Sequence, residues 1–222
     1  MEFLDARFPG LMRLVVIGPS EAGKSSFLYK LILNGEQFLA KPFHKVYFFY
    51  QNDQPIYDQL RLILGTRIEF LEGIPNDSVM ERIIREESNS ETPCLIALDD
   101  FSMLLGKEVV SLFTRVSHHH QMHVCLLMHN LYNRSPYTRE ITQSANALCL
   151  FKNPRDMSFS TVLGKQLMPQ KSHVFASIYR DATLPAFGYL FISFHQGTNE
   201  SLRYLSNINQ DEWPIRVFVP EI

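Results

Sequence analysis

Read for its apolar and polar positions, the chain alternates short continuous apolar runs with segments whose apolar residues recur at helical spacing. Leu11 to Ile17 is one such run, rich in β-branched residues and closed by Gly18-Pro19, the pattern of a strand buried on both faces. Ser25 to Leu33 follows as a helix, with Phe27, Leu28, Leu31 and Ile32 at core spacing. Val46 to Tyr50, Ile68 to Leu71, Leu95 to Leu98, Val124 to Met128 and Ala147 to Phe151 read as further strands. Between them, Tyr57, Leu60 and Ile63-Leu64 fall on one side of a connecting segment, while Met80 to Glu87 and Glu108 to Val116 read as helices. A short helix follows the polar turn Tyr132-Asn133-Arg134-Ser135-Pro136. The last third predicts helices from about Ser158 to Leu167 and from Ser172 to Tyr179, then a strand pair around Tyr189 to Phe194.

Strands and helices alternating through short links predict an α/β fold: a mainly parallel sheet with helices on both faces. There is no internal repeat, low-complexity tract or linker. Residues 1–222 are therefore expected to form one domain, with 157–222 as a helical and strand-pair extension of it. At 45% apolar residues the chain can bury a sizeable core. The formal net charge of -2 gives no global field toward nucleic acid or an anionic membrane, so a DNA contact would need a local or inter-subunit basic patch. Cys94, Cys125 and Cys149 each sit in an apolar run, as small core residues of a reducing compartment do. No apolar stretch approaches the roughly 18 residues of a membrane span. The residues Met1 to Arg7 resemble neither a signal nor a transit peptide, so an intracellular protein without membrane association is expected.

Chemistry enters at the end of the first strand. Gly18-Pro19-Ser20-Glu21-Ala22-Gly23-Lys24-Ser25 matches G-x-x-x-x-G-K-[ST], after a buried strand and opening a helix. The glycines permit backbone angles and close approaches that a side chain would block. The amide N–H groups of Gly18, Pro19, Ser20, Glu21, Ala22, Gly23, Lys24, Ser25 and Ser26 (proline excepted) then form an anion-binding nest at a helix N-terminus. Lys24 is expected to reach the β- and γ-oxygens of ATP, and Ser25 to offer a hydroxyl to Mg²⁺. Cys94 to Asp100 supplies the partner signal, a buried strand delivering acids at its C-terminal end. Asp99 reads as the Mg²⁺-side carboxylate, and Asp100 as the general base for water. Together these motifs predict a P-loop NTPase that hydrolyses nucleotide.

No N-K-x-D element for guanine is present, since Lys152-Asn153-Pro154-Arg155-Asp156 has the wrong order; ATP is the expected nucleotide. A small-molecule or nucleotide kinase would share the loop, but the paired acids and the lack of an Arg-rich lid fit it poorly. A nucleotide-binding scaffold that has lost hydrolysis is a third reading, opposed by the intact Lys24, Ser25, Asp99 and Asp100.

Further motifs follow in order: Leu98-Asp99-Asp100-Phe101, Leu112 to His119, the strand Val124 to Met128, and His129-Asn130-Leu131-Tyr132. With Glu69 to Pro75, Ala147 to Asp156 and Gly188 to Ile192, this series resembles the FtsK/HerA superfamily, specifically the DNA-packaging ATPases of Polinton/Maverick elements, poxviruses and related large DNA viruses. The resemblance spans most of the chain. It implies a RecA/FtsK-HerA-like fold and an ATP-driven motor that moves double-stranded DNA into a capsid. It further implies a homo-oligomeric ring of six or five subunits, capsid or portal-vertex partners, and a place in the host nucleus or viral factory or in the virion. In such rings a neighbour's arginine completes the site. Arg115 is the first candidate, with Arg139 and Arg155 open.

The chain departs from the family pattern at two points. His129-Asn130 stands where Gln-Asn is usual, and either His129 or Asn130 is expected to sense the γ-phosphate. Asp100 stands where many members carry Glu, which draws the attacking water closer. The run His118-His119-His120-Gln121-Met122-His123 has no cysteine or carboxylate at ligand spacing, which disfavours a zinc site. Lys152, Arg155, Lys165 and Lys171 could face a DNA-containing pore or merely be solvated, and no DNA-contact residue follows from them. DNA binding should be phosphate-directed and salt-sensitive.

Overall fold

The computed structural model describes residues 4–101, 105–131, 135–156, 158–209, 212 and 214–220. Tyr132, Asn133 and Arg134 of the expected turn, and residues 102–104 within the family-like stretch, lie outside them. Among the described residues nine strands form one sheet: β1 (Arg13–Ile17), β2 (Val46–Tyr50), β3 (Ile68–Glu72), β4 (Cys94–Asp99), β5 (Met122–Met128), β6 (Ala147–Phe151), β7 (Tyr189–Ser193), β8 (Tyr204–Ser206) and β9 (Arg216–Val217). Their order is β3-β2-β4-β5-β1-β6-β7-β8-β9. The first six pair in parallel, whereas β7, β8 and β9 continue the sheet antiparallel from β6. The expected strand pair is thus a three-strand antiparallel tail on the parallel sheet.

Strand periodicity sends alternate residues to opposite faces, and each face has its own core. On one side Leu14, Val16, Phe48, Ala97, Cys125, Leu127 and Cys149 pack against α1 (Lys24–Phe38) and α2 (Pro55–Leu64). On the other, Val15, Ile17, Phe49, Ile96, Leu98, Val124 and Leu126 meet the remaining helices. These are α3 (Asp77–Glu87), α4 (Lys107–Ser111), α5 (Ser117–His119), α6 (Pro136–Ser144), α7 (Phe159–Leu167) and α8 (Ser172–Ala182). The three cysteines are buried with free thiols, and burial raises the thiol pKa of each. Among the described residues no helix is long and apolar enough to cross a membrane.

Three local expectations need correction. The first helix runs past Leu33 to Phe38, across a non-helical Asn34 (φ -117°, ψ 15°), because Phe38 still finds core. In α2, Tyr57, Leu60 and Leu64 are buried on the side facing the sheet, but Ile63 lies off that stripe and points outward at 57% exposure. The expected helix Glu108 to Val116 is α4, a π-helical turn (Leu112–Val116) and α5 in succession. Thr114 Oγ1 donates to the Val110 carbonyl at 2.9 Å, a back-bond that competes with the regular ladder and suits a widened turn.

His123 is fully buried in β5 and belongs to the core. Its Nδ1 accepts from the Met12 amide at 3.0 Å, and Nε2–H donates to the Lys41 carbonyl at 2.9 Å. Burial, the largest influence, depresses its pKa from 6.5 to about 4. Between those values the unfolded chain takes up a proton that the folded chain refuses, so stability falls as pH drops through this window. The expected loss by pH 4 is roughly 3 kcal/mol. Urea melts across pH 4 to 7 on wild type and His123→Gln measure it. A wild-type slope no steeper than that of the variant would disprove the assignment.

Candidate nucleotide site

The order β4-β5-β1 sets three strand ends side by side, where the chain leaves a parallel sheet and ligands collect. β1 delivers the glycine loop, β4 delivers Asp99-Asp100, and β5, lying between them, delivers His129-Asn130. The sequence motifs, 74 and 105 residues from the loop, are thereby brought into contact with it.

Gly18 turns away from β1 with its amide donating to the Met128 carbonyl at 3.2 Å. A Cβ there would lie 2.7 Å from Phe151 Cβ, so only glycine allows this packing. Glu21 (φ 63°) and Gly23 (φ 102°) are left-handed, which bends successive amides inward. Gly23 is also the N-cap of α1 and offers no side-chain cap, so the first N–H groups of the helix are aimed at the loop's own centre. Phe27, Leu28, Leu31 and Ile32 hold that uncapped helix down, each contributing about 1.5–3 kcal/mol by burial.

Lys24 is buried, and its Nζ donates to the carbonyls of Gly18 and Pro19, both at 2.8 Å. Desolvation lowers its pKa, while Asp99 and Asp100 oppose that shift. Its Nζ also lies 3.4 Å from His129 Nδ1, and His129 Nε2 lies 2.9 Å from Asp100 Oδ1. A neutral imidazole protonated on Nε2 satisfies both contacts: it accepts from the lysine and donates to the aspartate. Lys24, His129 and Asp100 are thus one connected chain. Asp100 itself is left-handed (φ 66°), a conformation that turns its carboxylate out of the strand and that Asp and Asn tolerate better than most residues.

Asp99 is buried at the end of β4. One oxygen, Oδ2, accepts from Ser25 Oγ at 3.1 Å and from Tyr57 OH at 2.8 Å. Sequence reasoning missed the phenol: Tyr57 shares its spacing with Leu60 and Leu64, which mark it as core, and nothing in the spacing reveals the partner of its hydroxyl. A serine hydroxyl against a buried carboxylate, beside an amide nest and an ammonium, is a donor set that fits Mg²⁺ with a phosphate chain. Ser25 and Asp99 are the residues that would hold the metal.

Burial is the largest influence on Asp99 and raises its pKa, although Tyr57 and Ser25 pull the other way. The protonated form is therefore favoured by folding, and stability declines as pH rises from the unfolded carboxyl's pKa through the folded one. Asp99→Asn removes that decline and should raise Tm at pH 7 without nucleotide. Calorimetry at pH 4 and 7 checks it; an unchanged slope counts against the assignment.

Arg115, Arg139 and Arg155 are exposed, and among the described residues none of them lines the cavity at the loop. Arg115 falls on the π turn. Ser26 lines the cavity beside Ser25, and Asn130 is exposed at the tip of β5. His118, His119 and His120 are exposed, and among the described residues no group of three or more His, Cys, Asp or Glu is placed to hold a metal ion. Lys152, Arg155 and Lys165 are exposed and Lys171 is half-buried.

A mainly parallel sheet, helices on both faces and a glycine loop between the first strand and first helix define the P-loop NTPase fold. Neither a protein-family model nor a curated protein matches the chain by sequence. Among solved structures it is similar to the genome packaging NTPase B204 from Sulfolobus turreted icosahedral virus 2. The sulfate complex of that protein gives a TM-score of 0.56 at 12% identity, covering 96% of this chain and 98% of the other. Its ATP-gammaS complex gives 0.52 at 11% identity over 96% and 98%, and its AMPPCP complex 0.51 at 12% over 94% and 97%. At this identity the likeness is one of fold.

Proposed function

We propose that this chain is an ATP-hydrolysing motor that moves double-stranded viral DNA into a capsid. The observation that carries it is the connected cluster Lys24–His129–Asp100 with Ser25–Asp99–Tyr57, which joins a phosphate cradle to two differently placed carboxylates. Likeness to a viral packaging NTPase over nearly the whole of both chains supports the packaging role. The motif series supports the FtsK/HerA superfamily and, within it, the Polinton/Maverick and poxvirus-like ATPases.

In this reading the loop amides and Lys24 hold the β- and γ-phosphates. Ser25 and Asp99 would hold Mg²⁺, which would supply charge neutralisation to the phosphate chain. Asp100 takes the proton of the attacking water, and His129, tied to both Asp100 and Lys24, keeps that carboxylate oriented. Asn130 stands next in line to face the γ-phosphate. A neighbouring subunit's Arg115, Arg139 or Arg155 completes the site in a ring of five or six, with capsid or portal-vertex proteins as further partners. The host nucleus or viral factory is where such a motor works.

The test is phosphate release with and without double-stranded DNA, alongside mass by light scattering. DNA should stimulate turnover of an oligomer, and the stimulation should fade with salt. Turnover indifferent to DNA at low salt, or phosphoryl transfer to a soluble acceptor, sinks the motor reading.

A further inference from the structure

The polarity of the site divides a bound nucleotide. Asp99, Asp100 and His129 lie on the β4–β5 side of β1, which makes that side the γ-phosphate end. β6 and β7 lie on the other side. From the loop a cavity of about 450 Å³ extends that way, lined by Gly23, Lys24, Ser25 and Ser26 and then by Phe151, Phe187 and Tyr189. Its back wall is rigid: Phe27, Phe151 and Tyr189 are buried and packed with ring centroids 4.9 to 6.1 Å apart.

Phe187 differs from that wall. The residue is 71% exposed at the mouth of the cavity, and its backbone is left-handed (φ 59°), a conformation unfavourable for a bulky residue. Such a geometry persists where the surroundings enforce it, and here a turn does so, with the Gly188 amide donating to the Pro185 carbonyl at 3.0 Å. Phe187 Cβ and Cδ1 stand 3.4 Å from where a Gly23 Cβ would be, so the ring projects directly beside the phosphate loop.

On this side the polar groups Lys30, Tyr189 and Glu212 are engaged with one another, while Glu21, Ser26 and Gln54 line the rest of the cavity. Glu212 accepts from Lys30 Nζ at 2.9 Å and Asn209 Nδ2 at 3.5 Å through Oε1, and from Tyr189 OH at 2.6 Å through Oε2. What the cavity presents to a flat ring at this end is chiefly an aromatic face.

Resting on the nucleotide reading above, we propose that Phe187 is the shelf on which the nucleobase stacks, and that the site takes adenine and guanine alike because it reads the ring face. Stacking is tolerant of base identity and suits purines best through their larger face. This refines the expectation drawn from the missing guanine motif: lack of that motif removes a preference for GTP without excluding it.

The experiment is equilibrium binding of ATP, GTP and inorganic tripolyphosphate to the full chain, as wild type and as Phe187→Ala, Phe187→Leu and Phe187→Tyr. Wild type should bind ATP and GTP within about fivefold of one another, and both more tightly than tripolyphosphate. Phe187→Ala should weaken both nucleotides roughly tenfold and leave tripolyphosphate unmoved. Phe187→Tyr should match wild type, and Phe187→Leu should resemble Phe187→Ala. The proposal falls if Phe187→Ala weakens tripolyphosphate equally, if it leaves ATP unchanged, or if leucine serves as well as phenylalanine. Failure of ATP and tripolyphosphate alike to bind wild type would instead overturn the phosphate-site reading, and this proposal with it. Binding without DNA-stimulated turnover leaves the shelf standing and removes only the motor.

Discussion

Lys24→Ala is expected to reduce the proposed ATP hydrolysis by at least roughly a hundredfold, the loss that follows when one preorganised donor to developing oxyanion charge is removed. Nζ is held on two loop carbonyls at 2.8 Å, in a buried position where a unit charge acts far more strongly than in water. The alanine keeps the helix, since Lys24 sits in its first turn and the apolar face of α1 is untouched. Lys24→Arg should not rescue activity, because a planar guanidinium cannot occupy the point between two carbonyls that a compact ammonium fills. Phosphate release measured with circular dichroism as a folding control decides the matter. Wild-type turnover in Lys24→Ala would remove this loop from the chemistry.

Asp100→Asn has a comparable expected effect by a different route. It should lower kcat roughly 100- to 10,000-fold, the contribution of a positioned general base, while nucleotide affinity stays within about threefold. The amide is isosteric and tolerates the left-handed backbone, so geometry is preserved while the proton acceptor is lost. The expected split between kcat and binding separates Asp100 from Lys24, whose loss should weaken both. If Asp100→Asn weakened binding and spared kcat, the base would have to be sought elsewhere.

The parallel sheet and the glycine loop were legible because the interior positions of a doubly covered strand are all apolar, as in β1, β4 and β6, and because the loop's spacing carries its own geometry. Other features depend on partners that no local pattern encodes. β8 and β9 are three and two residues long and are strands only because β7 and then β8 offer an edge. The π turn adds a residue per turn without altering composition, so Leu112 to Val116 read as an ordinary helix. His123 belonged by adjacency to a histidine run, yet its ring is a fastener between Met12 and Lys41. The Tyr57 hydroxyl and the exposed Phe187 each gain meaning from the loop they face.

The phosphate loop is eight consecutive residues near the start of the chain, but the strand that presents it is flanked by β5 and β6, with Leu14 opposite Cys125 on one side and Ala147 on the other. Each pairing closes more than a hundred residues of chain, a slow step in folding. During synthesis, then, the loop leaves the ribosome early and must wait for two-thirds of the protein before its backbone is held. Nucleotide cannot serve as an early template for this fold; a chain arrested before residue 147 should fail to retain ATP even with its entire glycine motif in place.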